Sequence, residues 1–154
     1  MSREPLEPAA YRALIGRELG VSGWRRIDQA TIDAFADLTD DHQFIHVDPA
    51  RARATPLGGT VAHGFLTLSL LSHFAHEVVP RLAGAVMSVN YGIERLRFLA
   101  PVPAGARLRG RFVLKDLRER RPREWLSVLS VQIELEGSER PALIAEWLGL
   151  NVLS

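Results

Sequence analysis

Apolar residues recur along this chain with two different periods, and the switch between them divides it. From Gln29 to Leu38 the positions Ile32, Phe35, Ala36 and Leu38 fall at helical spacing, which predicts an amphipathic helix stopping before Asp40-Asp41. Asp28 and Thr31 are both suited to cap its start. Upstream, a Pro-rich leader over residues 1–10 is expected to be flexible, Tyr11 to Leu19 to form a brief helix, and Gly20 to Ile27 a strand carrying Trp24. Asp48-Pro49 opens another helical turn through Arg53, since aspartate caps and proline is tolerated at the first helical position. Thr55-Pro56-Leu57-Gly58-Gly59 reads as a loop. The longest apolar run, from His63 to Val79, is apolar on nearly every face, which predicts one buried helix closed by Pro80.

Beyond Pro80 the period becomes two. Val86 to Leu99, Ala106 to Leu117, Glu124 to Glu136 and Ala142 to Val152 read as strands, with Leu108, Gly110, Phe112 and Leu114 set against Arg107, Arg109, Arg111 and Lys115. Turns at Pro101 to Gly105, Arg120-Arg121-Pro122 and Gly137-Ser138 separate them. A central helix followed by four long antiparallel strands predicts an α+β fold, a curved sheet wrapped around the helix. Such a sheet leaves edges, so a homodimer is the expected minimum unit.

Composition narrows the function. A chain of 154 residues, 47% hydrophobic, is one domain's worth with room for a sizeable core, and residues 1–154 are read as a single domain. A net charge of +1 provides no basic field, which argues against nucleic acid as a partner. Lys115 is the only lysine, and the arginine bias fits either phosphate binding or a genome-wide preference. With no cysteine there is no disulfide framework, thiolate nucleophile or cysteine metal site. No stretch reaches the roughly 20 apolar residues of a membrane span, and Met1 to Pro5 lack a signal-peptide hydrophobic region. No membrane association and a cytoplasmic location are expected.

Chemistry concentrates in two short segments. In Asp41-His42-Gln43-Phe44-Ile45-His46 a carboxylate and an imidazole stand five positions apart in a polar, irregular stretch. Two readings of that spacing stand: Asp41 caps a turn and His46 is a satisfied half-buried histidine, or the pair moves protons near neutral pH. Ala62-His63-Gly64-Phe65 opens the apolar helix, and the Gly64 N–H is unpaired by the helix, so it either faces a ligand or simply allows close packing. His63 reads as a supporting hydrogen-bond partner or a direct participant, and Ser69 as a substrate contact or a packing residue bonded back to its own helix. His73 and His76, with His42 and His46, do not form a recognisable ligand set, so no metal is expected.

Asp41-x-Gln43-x-Ile45-His46, then Asp48-Pro49, then His63-Gly64 with Ser69 six residues on, resembles the MaoC-like group of (R)-specific enoyl-CoA hydratases. The resemblance runs from about Leu14 to the C-terminus and includes Asn90-Tyr91-Gly92 and Arg97-Phe98-x-x-Pro101-Val102. Gln43 and Phe44 depart from the asparagine and proline common in that group. The resemblance implies a hot-dog fold and reversible hydration of trans-2-enoyl-CoA to (R)-3-hydroxyacyl-CoA in fatty acid metabolism. Asp41 and His46 would be catalytic, with Gly64, Ser69, His63 and Gln43 at the oxyanion and substrate site. No cofactor is implied, coenzyme A being part of the acyl-CoA substrate. A hot-dog thioesterase and a non-catalytic acyl-binding module are the rival readings.

Overall fold

The computed structural model describes residues 4–154. Its frame is one antiparallel sheet built from β1 (Glu18–Val21), β2 (Arg25–Arg26), β3 (Ala85–Phe98), β4 (Arg107–Arg121), β5 (Glu124–Leu135) and β6 (Leu143–Leu153). The strand order is β1-β4-β5-β6-β3, with β2 also pairing β4. The alternation expected in β4 holds: Leu108, Phe112 and Leu114 are fully buried and the arginines between them point outward. A register shift between Leu114 and Asp116 then resets the pleat, so that Leu117 also faces the core.

Among the described residues six helices accompany the sheet: α1 (Pro8–Arg12), α2 (Gln29–Thr39), α3 (Phe44–Val47), α4 (Pro49–Arg53), α5 (Gly64–Ser69) and α6 (Leu71–Val78). The core lies between α6 and the sheet, where fully buried Phe74 meets Phe112. The approach is close at Gly110, where a Cβ would stand 2.8 Å from the Phe74 Cβ and 2.7 Å from the Phe112 ring.

Three expectations are corrected. The helix over Tyr11 to Leu19 is instead α1, because Gly16, at φ +84°, turns the chain and bonds its N–H to the Leu114 carbonyl at 2.7 Å. The strand expected from Gly20 divides into β1 and β2 around Ser22, whose hydroxyl accepts from the Gly110 N–H at 2.9 Å. The single helix from His63 to Val79 breaks at Leu70, after Ser69 donates its hydroxyl to the Phe65 carbonyl at 2.7 Å, a back-bond that bends helices.

The apolar run is not buried on every face either, since Phe65 is 66% exposed. Residues 1–3 of the expected leader lie outside the described residues. Its remainder is docked: Leu6 exchanges backbone hydrogen bonds with Arg81 and Ala83 at 2.9 and 2.8 Å, and Tyr11 is buried. Burial pushes the Tyr11 phenol up to about 12.

Candidate active site

The segment that carries Asp41 and His46 begins where α2 ends. Asp28 caps that helix, accepting from the Thr31 N–H at 2.9 Å, and Asp40 terminates it in the left-handed region at φ 55°. Asp41 follows in an exposed loop, and one turn further His46 is 7% exposed in α3. Asp48 then caps α4, with Pro49 at its start, as its sequence implies.

Gln29 anchors this loop from behind. Its amide donates to the His46 carbonyl and to Asp33 at 2.7 Å each, and its oxygen accepts from Thr60 at 2.5 Å. The Val61 N–H bonds to the Ile45 carbonyl at 3.0 Å, and the Ala62 N–H to the Val102 carbonyl at 2.8 Å. The chain before α5 is thereby held between α3 and the turn after β3.

These anchors set the state of the histidine. His46 Nδ1 lies 2.7 Å from the Val61 carbonyl. A carbonyl only accepts, so Nδ1 carries the hydrogen and Nε2 is left with the free lone pair. The ring of His63 stacks on His46 with centroids 3.7 Å apart and planes 25° apart, and His63 Nε2 donates to the Asp41 carbonyl at 2.9 Å. One ligand atom from each of Asp41, His46 and His63 lies within 4.8 Å of the others. That separation lets one water bridge two of the groups, because two hydrogen bonds of about 2.8 Å span it.

The same three groups have the spacing of a cation site. A metal must lie in the plane of each imidazole, about 2.1 Å from the nitrogen. Two planes only 25° apart with rings stacked at 3.7 Å do not meet within that reach, so the pair of histidines suits a bound water better than a metal.

A cavity of about 310 Å³ adjoins His46, walled by Ile45, Val61, Gly64, Thr67, Phe98 and Val102 among others. Gly64 is the first residue of α5, and its N–H has no partner within the helix. The Phe98 ring lies against it, 3.0 Å from where a Cβ would be, so a side chain at 64 would require that ring to give by a few tenths of an ångström. Ser69 is not brought here: it lines a separate cavity of about 350 Å³ with Phe65, Leu68, Tyr91 and Trp147. Gln43 presents no capping side chain, and its carbonyl accepts the His46 N–H at 2.9 Å.

His42 turns away to Asp37 at 2.8 Å, and that hydrogen bond raises its pKa above the ordinary 6.5. Arg107, Arg109 and Arg111 pair with Glu136, Glu134 and Glu18 on the outer face of the sheet, which accounts for part of the arginine bias without any phosphate. Sequence reasoning missed Gln29 and the Val61 carbonyl. Only Gln29, polar at the start of an amphipathic helix, left a signal.

An antiparallel sheet packed against α6, with a carboxylate and a pinned histidine near the glycine-led start of α5, is the architecture of a hot-dog protein. Residues 11–133 match the family described as MaoC like domain, and the chain belongs to that family. It is 50% identical over 139 residues to Nodulation protein N of Rhizobium meliloti (strain 1021), covering 90% of this chain and 86% of that protein. It is 42% identical over 138 residues to 3-hydroxyacyl-thioester dehydratase Z of Mycobacterium tuberculosis (strain CDC 1551 / Oshkosh), covering 90% and 91%. Among solved structures it resembles the (R)-hydratase from A. caviae involved in PHA biosynthesis, at TM-score 0.68 and 28% identity over 85% of this chain and 96% of that one. Among the described residues no helix is long and apolar enough to cross a membrane.

Proposed function

We propose that this chain adds water reversibly across the C2–C3 double bond of a trans-2-enoyl-CoA to give the (R)-3-hydroxyacyl-CoA. The observation that carries the reading is the cluster of Asp41 and His46 polar atoms within 4.8 Å, with His46 itself lining an apolar cavity. In the hydration direction His46 Nε2 takes a proton from a water that Asp41 orients, while the water oxygen bonds to C3. The C2–C3 π electrons move toward the thioester, and the Gly64 N–H donates to the oxygen that gains charge. C2 then takes the proton back from His46, so one water is consumed and the imidazole is regenerated. The (R) configuration is supported by the solved hydratase relative.

Loss of enoyl-thioester absorbance, with chiral analysis of the product over a series of acyl lengths, tests this. Release of free coenzyme A thiol without a hydroxyacyl product would instead favour the thioesterase reading, and inertness toward every enoyl thioester the binding-module reading. No cofactor enters the scheme, because the thioester is itself the electron sink. Dialysis against a strong chelator is therefore expected to leave turnover unchanged, and loss of activity restored by one metal would overturn it.

We also infer that two copies pair through β3. This strand ends the sheet, is 14 residues long, and exposes Val86, Met87, Val89, Tyr91 and Ile93. A long edge strand with apolar side chains on it favours pairing with another strand over remaining bare.

A further inference from the structure

We infer that His63 is a positioning residue that sets the separation of Asp41 and His46. Two side-chain contacts and a backbone connection meet at this one residue. Its Nε2 donates to the Asp41 carbonyl at 2.9 Å, its ring stacks on His46 at 3.7 Å, and its backbone leads directly into Gly64 at the start of α5. Its own carbonyl accepts the Thr67 N–H at 3.2 Å, which fixes it to the first turn of that helix. Asp41 sits in a loop, exposed, and the bond from His63 is the only side-chain hydrogen bond it receives among the described residues.

The polar atoms of His63 argue that it is more than filler. The ring is 2% exposed, and because Nε2 carries the hydrogen given to Asp41, Nδ1 is left as a bare acceptor. That Nδ1 is buried with no hydrogen-bond partner. An unsatisfied buried nitrogen destabilises the fold, and a phenylalanine would fill the same space beside Phe35, 5.1 Å away, without that penalty. The imidazole therefore earns its place through what Nε2 does, which is to tie the Asp41 backbone to the ring that stacks on His46. Misplacement of a reacting group by about 1 Å can cost about a hundredfold in rate.

The inference rests on the hydration reading, and two variants separate its parts. His63→Phe keeps the flat ring against His46 and removes the donor. His63→Gln places an amide N–H near the position of Nε2 and removes the ring. With trans-2-enoyl-CoA, His63→Phe is expected to lower kcat by about tenfold to a hundredfold with KM nearly unchanged, and His63→Gln to recover most of that loss. A purely structural role would instead show as a lowered melting temperature in both variants, with kcat per folded molecule unchanged, and that result overturns the inference. Backbone amide relaxation at Asp41 gives a readout independent of turnover. It is expected to show increased motion in His63→Phe but not in His63→Gln. If the wild-type chain hydrates no enoyl thioester, the functional reading falls and this measurement alone decides the matter: an unchanged Asp41 amide in His63→Phe rejects the positioning role.

Discussion

At the scale of single residues, the Val61 carbonyl, 2.7 Å from His46 Nδ1, makes the other ring nitrogen the one with a free lone pair. Asp41→Asn replaces an oxygen that orients the water at nearly constant volume, and His46→Gln removes the imidazole. Each is expected to lower turnover by about a hundredfold to ten-thousandfold, the range of a general acid or base. If the two act on one water, the double variant is expected to be little worse than the worse single one. Steady-state kinetics on the three folded variants check this, and losses that multiply would point to independent roles.

At the scale of elements, α5 divides two cavities. Gly64 and Thr67 face the one that holds His46, whereas Phe65, Leu68 and Ser69 face the other. Neighbouring residues of α5 thus separate by helix face. Thr67→Phe is expected to lower the ratio of long-chain to short-chain kcat/KM by about tenfold or more while turnover of the four-carbon enoyl thioester survives, since steric filling rejects long chains selectively. Leu68→Trp is expected to leave that ratio unchanged. An unaltered ratio in folded Thr67→Phe, measured across acyl lengths, would remove α5 from the acyl site.

At the scale of the molecule, two surfaces behave differently. The outer face of β4 and β5 is laced with ion pairs. Burial tends to raise the Glu134 pKa, but hydrogen bonds from Arg111 and Arg109 outweigh it and hold the carboxyl below the ordinary 4.5. The hydrogen bond from Arg107 lowers that of Glu136, and the one from Lys115 lowers that of Glu146. A carboxyl lowered in the folded state binds fewer protons there than in the unfolded chain. Its contribution is therefore complete above its ordinary value and is lost as pH falls through the folded one. The melting temperature is expected to drop below about pH 4.5, and less steeply in Glu134→Gln; thermal melts across that range decide it, and equal slopes would mean the pair is not felt. The β3 edge, by contrast, is apolar. Light scattering is expected to give twice the chain mass for the wild type and one chain mass for Ile93→Lys, while a monomeric wild type would dismiss the pairing.

Local rules settled whatever short-range chemistry controls. The α+β class follows from the switch of period near Pro80, the end of α2 from the pair Asp40-Asp41, the cap of α4 from Asp48-Pro49, and the inward set Leu108, Phe112 and Leu114 from alternation. The closeness of Asp41 and His46 is also local, because four residues of tight loop and helix separate them. Tertiary packing decided what depends on residues far apart in sequence. Gly16 meets Leu114 and ends α1 early, Gly110 admits Phe74, and the free Nε2 of His46 depends on a carbonyl 15 residues away. Gln29 and His63 reach the segment from Asp41 to His46 over 17 and 22 residues respectively, and neither distance leaves a period or a spacing to read. Their contacts exist only once the sheet has fixed where the turn after β3 lies, since that turn holds the Ala62 backbone that leads into His63.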